Sequence, residues 1–145
     1  MNNPRYRFEI VEELASADFI FDAFGLTLPD LFIACAEACF AAMTNLEKVT
    51  PSEEEDILVF GDDLNELLYN FISELVYLKD VEKMFFSQFE VTLADDQKSV
   101  RAIARGERIS YKKHDIKTDV KAVTHHELNI VRRNDYFVTR MILDL

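Results

Sequence analysis

The chain has 145 residues, of which 49% are hydrophobic, and a formal net charge of −11 from 27 acidic residues against 16 lysines and arginines. This length predicts a single domain, residues 1–145, with a real hydrophobic core, and the apolar content argues against a disordered chain. The acidic balance argues against direct stable binding of nucleic acid or of an anionic membrane, because both need lysine and arginine. A basic protein partner or a metal cation fits better.

The sequence also predicts a compartment. No run approaches the roughly 18 apolar residues that cross a bilayer, and the first residues lack the order of a signal peptide. Cys35 and Cys39 lie four apart in a helical pattern and make a poor disulfide framework, so we expect a cytoplasmic protein. Both cysteines fall on an apolar face, which favours core packing over metal ligation.

The first half of the chain predicts strands at residues 6–10, 19–24 and 57–60 and two helices. The first helix begins at Thr27, with Pro29 and Asp30 in its first turn, and ends near Thr44. The second begins after a cap at Asp62 or Asp63, carries a leucine-rich stripe at helical spacing, and ends near residues 79–80. The acidic run 53–56 between the helices is typical of a solvated loop.

Period-two patterns follow in the second half. Residues 89–93 and 100–104 predict strands joined by a turn at 95–98, and residues 120–130 and 136–143 predict a final antiparallel pair around a turn at 132–135. The predicted fold class is therefore α+β, a two-layer arrangement with two helices packed on one face of a largely antiparallel sheet.

Histidines and lysines give weak signals of function. His125 and His126 are adjacent on a predicted strand, so they point to opposite faces and at most one is functional. We interpret His114 as a loop residue. Lys117 and Lys121 lie four apart and form a local basic patch at most.

Two carboxylates at the borders of apolar strands are more informative. Asp144 follows the strand 136–143 within an apolar end that we expect to be docked, where a hard cation or a basic side chain would balance it. Asp18 precedes the strand 19–24, and local sequence alone favours a turn residue there. If the two strands are neighbours, the carboxylates converge, and such oxygen ligands suit calcium or magnesium. Periodicity does not establish that convergence.

Five segments together resemble the archease family in order and with similar gaps. They are residues 17–25 (ADFIFDAFG), 43–49 (MTNLEKV), 67–78 (LLYNFISELVYL), 114–128 (HDIKTDVKAVTHHEL) and 142–145 (ILDL). The resemblance covers essentially the whole chain, and the segment at 114–128 is its most distinctive motif.

The resemblance implies a function. Archeases are accessory proteins, not enzymes, that activate the RtcB-type RNA ligase of tRNA splicing and RNA repair by promoting GTP-dependent guanylylation of the ligase histidine and multiple turnover. It implies a divalent cation, calcium first and magnesium or manganese next, held by Asp18, Asp144 and the main-chain carbonyl of Leu145. Four further residues of the motif 114–128 are implied in ligase interaction or activation: Lys117, Lys121, His126 and Glu127.

The chain departs from the family pattern at several positions. Ala15 and Ser16 stand where a His-Thr pair is usual, Asp22 stands where a basic residue is common, His125 replaces a tyrosine and Glu127 replaces an aspartate. Two other functions stay open from the residues alone. One is a divalent-metal-dependent hydrolase, which two carboxylates and a carbonyl would serve poorly. The other is a generic protein-binding or chaperone-like module.

Overall fold

The computed structural model describes residues 5–11 and 18–145. The strands are β1 (Tyr6–Ile10), β2 (Asp18–Gly25), β3 (Glu53–Phe60), β4 (Met84–Leu93), β5 (Ser99–Arg108), β6 (Ala122–Val123), β7 (Val131–Arg133) and β8 (Tyr136–Asp144). The helices are α1 (Leu28–Ala41) and α2 (Leu64–Glu82), with a 3-10 turn at Leu46–Lys48. No helix in these described ranges combines the length and the apolar character that a membrane crossing needs.

The strands form two antiparallel sheets. One has the order β1-β2-β8-β6, with β7 also pairing β8, and the other has the order β3-β5-β4. The predicted α+β class, with two helices and antiparallel strands, is confirmed. The period-two patterns could not reveal that the strands divide between two sheets, because alternation fixes the face of a residue and not the partner of its strand.

Both helices begin as their sequences predict. The Thr27 hydroxyl accepts a hydrogen bond from the backbone N–H of Asp30 (3.2 Å), and the Asp63 carboxylate accepts one from that of Glu66 (2.9 Å). The helix α1 ends at Ala41, earlier than the predicted Thr44. Two carbonyls beyond its end are satisfied from a distant segment, by the N–H groups of residues 117 and 118.

Aromatic rings and the two cysteines fill the space between the helices and the sheets. The ring of Phe40 packs on those of Phe86 and Phe89 at centroid distances of 5.5 and 6.0 Å. Cys35 and Cys39 are fully buried, and burial raises the pKa of both thiols, that of Cys39 to about 12. Their predicted role as core residues is confirmed.

Two predicted segments differ in the structure. The acidic run 53–56 belongs to β3 and pairs in register with β5, so the prediction of a solvated loop is wrong. Edge position explains the difference, because the acidic side chains remain largely exposed although their backbone pairs on one side. The predicted strand 120–130 contains only the two residues of β6, and β7 begins after it at Val131.

Contacts with the helix α2 hold the segment between β6 and β7 outside the sheet. Glu127 has a left-handed backbone, with φ at 58°, which ends the extended conformation. The Asn65 side chain of α2 accepts a hydrogen bond from the N–H of Ile130 (2.9 Å), and the ring of His125 stacks on that of Tyr69 at 3.7 Å. The Ile130 N–H and the His125 ring therefore have their partners on α2, and the segment does not need a neighbouring strand to satisfy them.

Candidate functional site

Asp18 and Asp144 meet at one end of the larger sheet. The strands β2 and β8 pair antiparallel along their length, and their register places Asp18 directly opposite Asp144. Directly opposed residues project from the same face with Cβ atoms roughly 5 Å apart. The sequence pattern left the convergence of the two carboxylates open, and strand pairing provides it.

The end of the chain holds this arrangement in place. Leu145 packs partly buried against the hydrophobic core, and the main-chain carbonyl of Asp144 accepts a hydrogen bond from the N–H of Lys121 (2.8 Å). The Asp144 side chain itself is exposed. The expectation of a docked apolar end therefore holds for Leu145, whereas burial does not explain the need of Asp144 for a partner. The position of Asp144 opposite the like charge of Asp18 does explain that need.

The donor set at this edge is made of hard oxygens. It comprises the two carboxylates, to which the family resemblance adds the main-chain carbonyl of Leu145, and such oxygens are the ligands that calcium and magnesium prefer. Within residues 5–11 and 18–145, no group of three or more histidine, cysteine, aspartate or glutamate side chains gathers around a common point. Because carboxylates offer only oxygen donors, the two facing side chains suit a hard cation better than a zinc ion.

The segment that contains Lys121 and Glu127 runs alongside β8, the strand of Asp144. Three residues after Lys121, the backbone N–H of Thr124 donates a hydrogen bond to the Ile142 carbonyl of β8 at 3.0 Å. Further along, Glu127 lines a cavity of about 310 Å³ together with Asp22 and Arg140. The loop after β6 therefore runs beside β8 and brings Glu127 to the face of Asp22 and Arg140. Lys121 instead lines a cavity beside α2 with Tyr69 and Tyr77.

Asp22 of β2 and Arg140 of β8 are directly opposed and form a bidentate ion pair. They lie two residues along the strands from the facing pair Ile20 and Ile142. The Arg140 Nε and Nη2 atoms donate to the Asp22 carboxylate at 2.8 and 3.1 Å. Hydrogen bonds from Arg140 to Asp22, and then the charges of Asp22 and Glu127, raise the pKa of Arg140. Asp22, which stands where the family commonly has a basic residue, is directly opposite Arg140, which balances its charge. Only the register of β2 against β8 identifies Arg140 as the partner of Asp22.

The two adjacent histidines have different surroundings. His125 stacks on Tyr69, and the pair borders a polar pocket at the start of α2. His126 is exposed, and its backbone N–H donates to the Thr124 hydroxyl at 3.3 Å. His126 therefore stands close to β8 on the solvent side. The two residues lie in a loop and not on a strand, so the argument from opposite strand faces does not apply.

Lys117 lies elsewhere. Its backbone N–H donates to the Met43 carbonyl (2.9 Å), and its ammonium donates to the Ala41 carbonyl at 3.4 Å. A cation at the C-terminal end of α1 complements the helix dipole. The observed contacts of Lys117 are with the end of α1 and not with the strands that carry Asp18 and Asp144.

His114 is buried and structural. The N–H of Ser110 donates to His114 Nδ1 (2.9 Å), so Nε2 carries the proton and donates to Glu107 at 2.9 Å. Hydrogen bonds from Lys113 above all, and from the N–H of Thr50 and the ring of His114, lower the pKa of Glu107 to about 2. The interpretation of His114 as an ordinary loop residue misses this role, which its polar local sequence does not signal.

The departure at Ala15 and Ser16 lies outside the described residues.

Comparisons with known proteins match this chain along nearly its whole length. The model of the Archease protein family (MTH1598/TM1083) matches residues 8–145. The protein archease of Sulfurisphaera tokodaii is 34% identical over 96% of this chain and 99% of its own length. That of Pyrococcus furiosus is 39% identical over 83% and 86% of the two chains.

Solved structures agree. The solution structure of Methanobacterium thermoautotrophicum protein 1598 has a TM-score of 0.79 and 30% identity, covering 97% of this chain and 99% of that one. A crystal structure of an archease from Thermotoga maritima, described as a possible chaperone, has a TM-score of 0.64 at 13% identity and covers 94% and 98%, which supports the fold alone. The family match, the full-length relatives and the shared fold together show that this chain belongs to the archease family.

Proposed function

We propose that this protein is a non-enzymatic activator of an RtcB-type RNA ligase in tRNA splicing and RNA repair, acting in the cytoplasm. The observation that carries the proposal is the register that sets Asp18 against Asp144, in a chain of the archease family. The net charge of −11 supports a protein partner with a basic cleft over direct binding of RNA.

Asp18, Asp144 and the carbonyl of Leu145 are the proposed ligands of a divalent cation. Calcium is the first expectation, with magnesium and manganese as further possibilities, because all three accept hard oxygen donors. Such a cation supplies positive charge that offsets the repulsion between the two carboxylates and offers open coordination positions. The sheet register and the docked Leu145 hold the ligands before any cation arrives.

The side chains beside this edge would then contact the ligase. Lys121 is exposed, and its backbone bonds to that of Asp144, so in this proposal its ammonium meets an acidic or phosphate group of the partner beside the cation edge. His126 and Glu127 extend the same side of the molecule along β8. Lys117 is a weaker member of this set, because its ammonium binds a carbonyl of α1. In this arrangement the edge enters the nucleotide cleft of the ligase and orders GTP and the ligase histidine for in-line attack.

A guanylylation assay tests the proposal. A cognate RtcB-type ligase is incubated with GTP labelled at the α-phosphate, and labelled ligase is measured over time with wild-type protein, Asp144→Ala or no addition. We expect wild-type protein to accelerate labelling and Asp144→Ala to abolish the acceleration while circular dichroism shows a folded chain. Lys121→Ala should weaken the acceleration, because charge at the interface is lost.

A matched control isolates the site. Asp95→Ala removes an exposed carboxylate from the β4–β5 turn and should stimulate as wild type does. Equal stimulation by Asp144→Ala would contradict the role of Asp144. A competent cognate ligase that ignores the wild-type protein would reject the activator function and favour the protein-binding module. Turnover of phosphoesters by the isolated chain would favour the hydrolase.

A further inference from the structure

The strand β3 has one edge that pairs with no other strand of the described chain. Its inner edge pairs with β5 from Glu53 to Phe60 without a register shift. The order β3-β5-β4 leaves the opposite edge of β3 at the border of the sheet. An unpaired edge presents a row of backbone donors and acceptors that another strand can use.

The hydrogen-bond pattern identifies which residues face outward. Gly61 donates to the Lys98 carbonyl (3.0 Å), so groups at every second residue from Gly61 bond to β5. The intervening residues turn their N–H and carbonyl groups away from β5. The Phe60 carbonyl agrees with this alternation, because it accepts a hydrogen bond from the Asn70 side chain of α2 (2.9 Å). The outward groups of Glu54, Asp56 and Leu58 have no partner within the described ranges.

The free edge borders an exposed apolar groove. Leu58, Phe60 and Tyr77 expose 48, 65 and 57% of their surfaces. Together with Ser73 and Glu74 of α2 they line a groove of about 440 Å³ between β3 and α2. Clusters of large exposed apolar side chains mark interaction sites more often than isolated ones do. An added strand would lie beside β3 and cover this groove.

Charge specifies the occupant. The first half of β3 carries Glu53, Glu54, Glu55 and Asp56, and the second half carries the exposed Leu58 and Phe60. A charged edge protects against indiscriminate pairing, but it does not account for two exposed apolar side chains on the same strand. A second copy of this chain is disfavoured because each copy has a net charge of −11.

We propose that the free edge of β3 is a docking site for one strand of a basic protein partner. The added strand runs antiparallel to β3, as every strand of this sheet runs to its neighbour. It places apolar side chains opposite Phe60 and Leu58 and lysine or arginine opposite Asp56 and Glu54. Asp56 is the stronger determinant, because the Glu54 carboxylate already accepts a hydrogen bond from Arg105 of β5 (2.7 Å). Backbone hydrogen bonds give affinity in this mode, and alternate side chains give specificity. The proposal does not depend on ligase activation, since it uses other strands than β2 and β8.

Hydrogen exchange with a probe peptide tests the docking site. The probe has nine residues, all threonine except valine at positions 2 and 4 and lysine at positions 6 and 8. The amide protons of Asp56 and Leu58 should exchange rapidly in the protein alone, whereas those of Ile57 and Val59 are protected by β5. At saturating peptide we expect the exchange of Asp56 and Leu58 to slow at least about tenfold. Unchanged exchange at millimolar peptide would overturn the proposal.

Variants separate the backbone from the side chain. Leu58→Pro removes an outward N–H and spares the ladder to β5, a position that an edge strand tolerates. We expect it to weaken peptide binding about tenfold, because one backbone bond and its approach are lost. Leu58→Val keeps the N–H and an apolar side chain and should bind nearly as wild type does. Equal binding by the proline and valine variants would contradict docking through the backbone.

Charge exchange keeps the test decisive if Leu58→Pro does not fold. Asp56→Lys should lose the lysine peptide and gain a peptide that carries glutamate at positions 6 and 8. Binding that ignores both exchanges would overturn the proposed chemistry of the partner. Protection of Asp56 and Leu58 that rises with protein concentration in the absence of peptide would identify a second copy as the occupant and reject the basic partner.

Discussion

Glu107 and Asp144 are carboxylates with opposite surroundings. Glu107 accepts hydrogen bonds from the Thr50 N–H (2.8 Å), from Lys113 (2.7 Å) and from His114 (2.9 Å). Asp144 is exposed and faces another carboxylate, that of Asp18. The fold itself compensates the charge of Glu107, whereas strand register brings like charges together at Asp144. Charge compensated inside the fold stabilises it, whereas two carboxylates set opposite each other form a candidate site for a cation.

Removal of Glu107 should have the largest effect on stability. Glu107→Ala deletes an ionised acceptor and leaves the His114 ring and the Thr50 N–H without their partner. We expect the free energy of unfolding to fall by about 2–3 kcal/mol. Urea denaturation at neutral pH measures it. Glu90→Ala is the matched control, since its ion pair with Arg105 is exposed and screened by solvent and should contribute little to stability. Equal losses in both variants would remove the distinction between the two kinds of carboxylate.

The same cluster predicts a pH dependence. The folded state lowers the pKa of Glu107 from 4.5 to about 2, so folding favours the ionised form. Its contribution is therefore complete above the ordinary pKa and is lost as the pH falls through that range. The difference in unfolding free energy between wild type and Glu107→Gln should be constant from neutral pH to about pH 5 and shrink towards pH 2. A difference that stays constant down to pH 2 would contradict the assignment.

Calcium should stabilise the other region. At calcium about ten times its Kd, the free energy of unfolding of wild type should rise by about 1.4 kcal/mol. Asp144→Asn should lose this response, since the amide carries no charge to balance the cation. Asp95→Asn, in the exposed turn, should keep it. Thermal unfolding with and without calcium measures all three proteins, and an undiminished response in Asp144→Asn would place the cation elsewhere.

The smallest predicted change in the free energy of unfolding is informative through its sign. Without divalent cations, Asp144→Asn should raise the free energy of unfolding by about 0.5 kcal/mol, because it removes the repulsion from Asp18. Asp22→Asn on the same sheet face should lower it, because it breaks the bidentate pair with Arg140. Chelator-treated protein in urea tests both variants. Destabilisation by both would mean that Asp144 is already compensated within the fold.

The sequence predicted best what depends on neighbours in the chain. The caps at Thr27 and Asp63 and the buried stripes of both helices are local, and the structure has them. The acidic run of β3 was missed because its pairing with β5 joins residues far apart in sequence. The segment after β6 was predicted as a strand because the composition of Val120 to Ile130 gives no sign of the contacts with Asn65 and Tyr69.

The candidate site shows the same limit. Each border carboxylate could be selected from the end of its own apolar strand, but their meeting depends on the pairing of β2 with β8. The family resemblance implied that both carboxylates bind one cation, but it did not give the strand pairing. The ion pair between Asp22 and Arg140 was not predicted, because it requires the register as well as the partner strand. The contact of Lys117 with α1 depends on the course of a loop, which no periodicity describes.

The buried thiols of Cys35 and Cys39 can be used to measure local opening of the hydrophobic core. A thiol reagent needs both access and thiolate, and burial with a raised pKa denies it both. Labelling of either cysteine therefore measures how often α1 leaves the core. The same protection lets the fold withstand oxidants that modify exposed thiols, so its working state should not follow the redox condition of its surroundings.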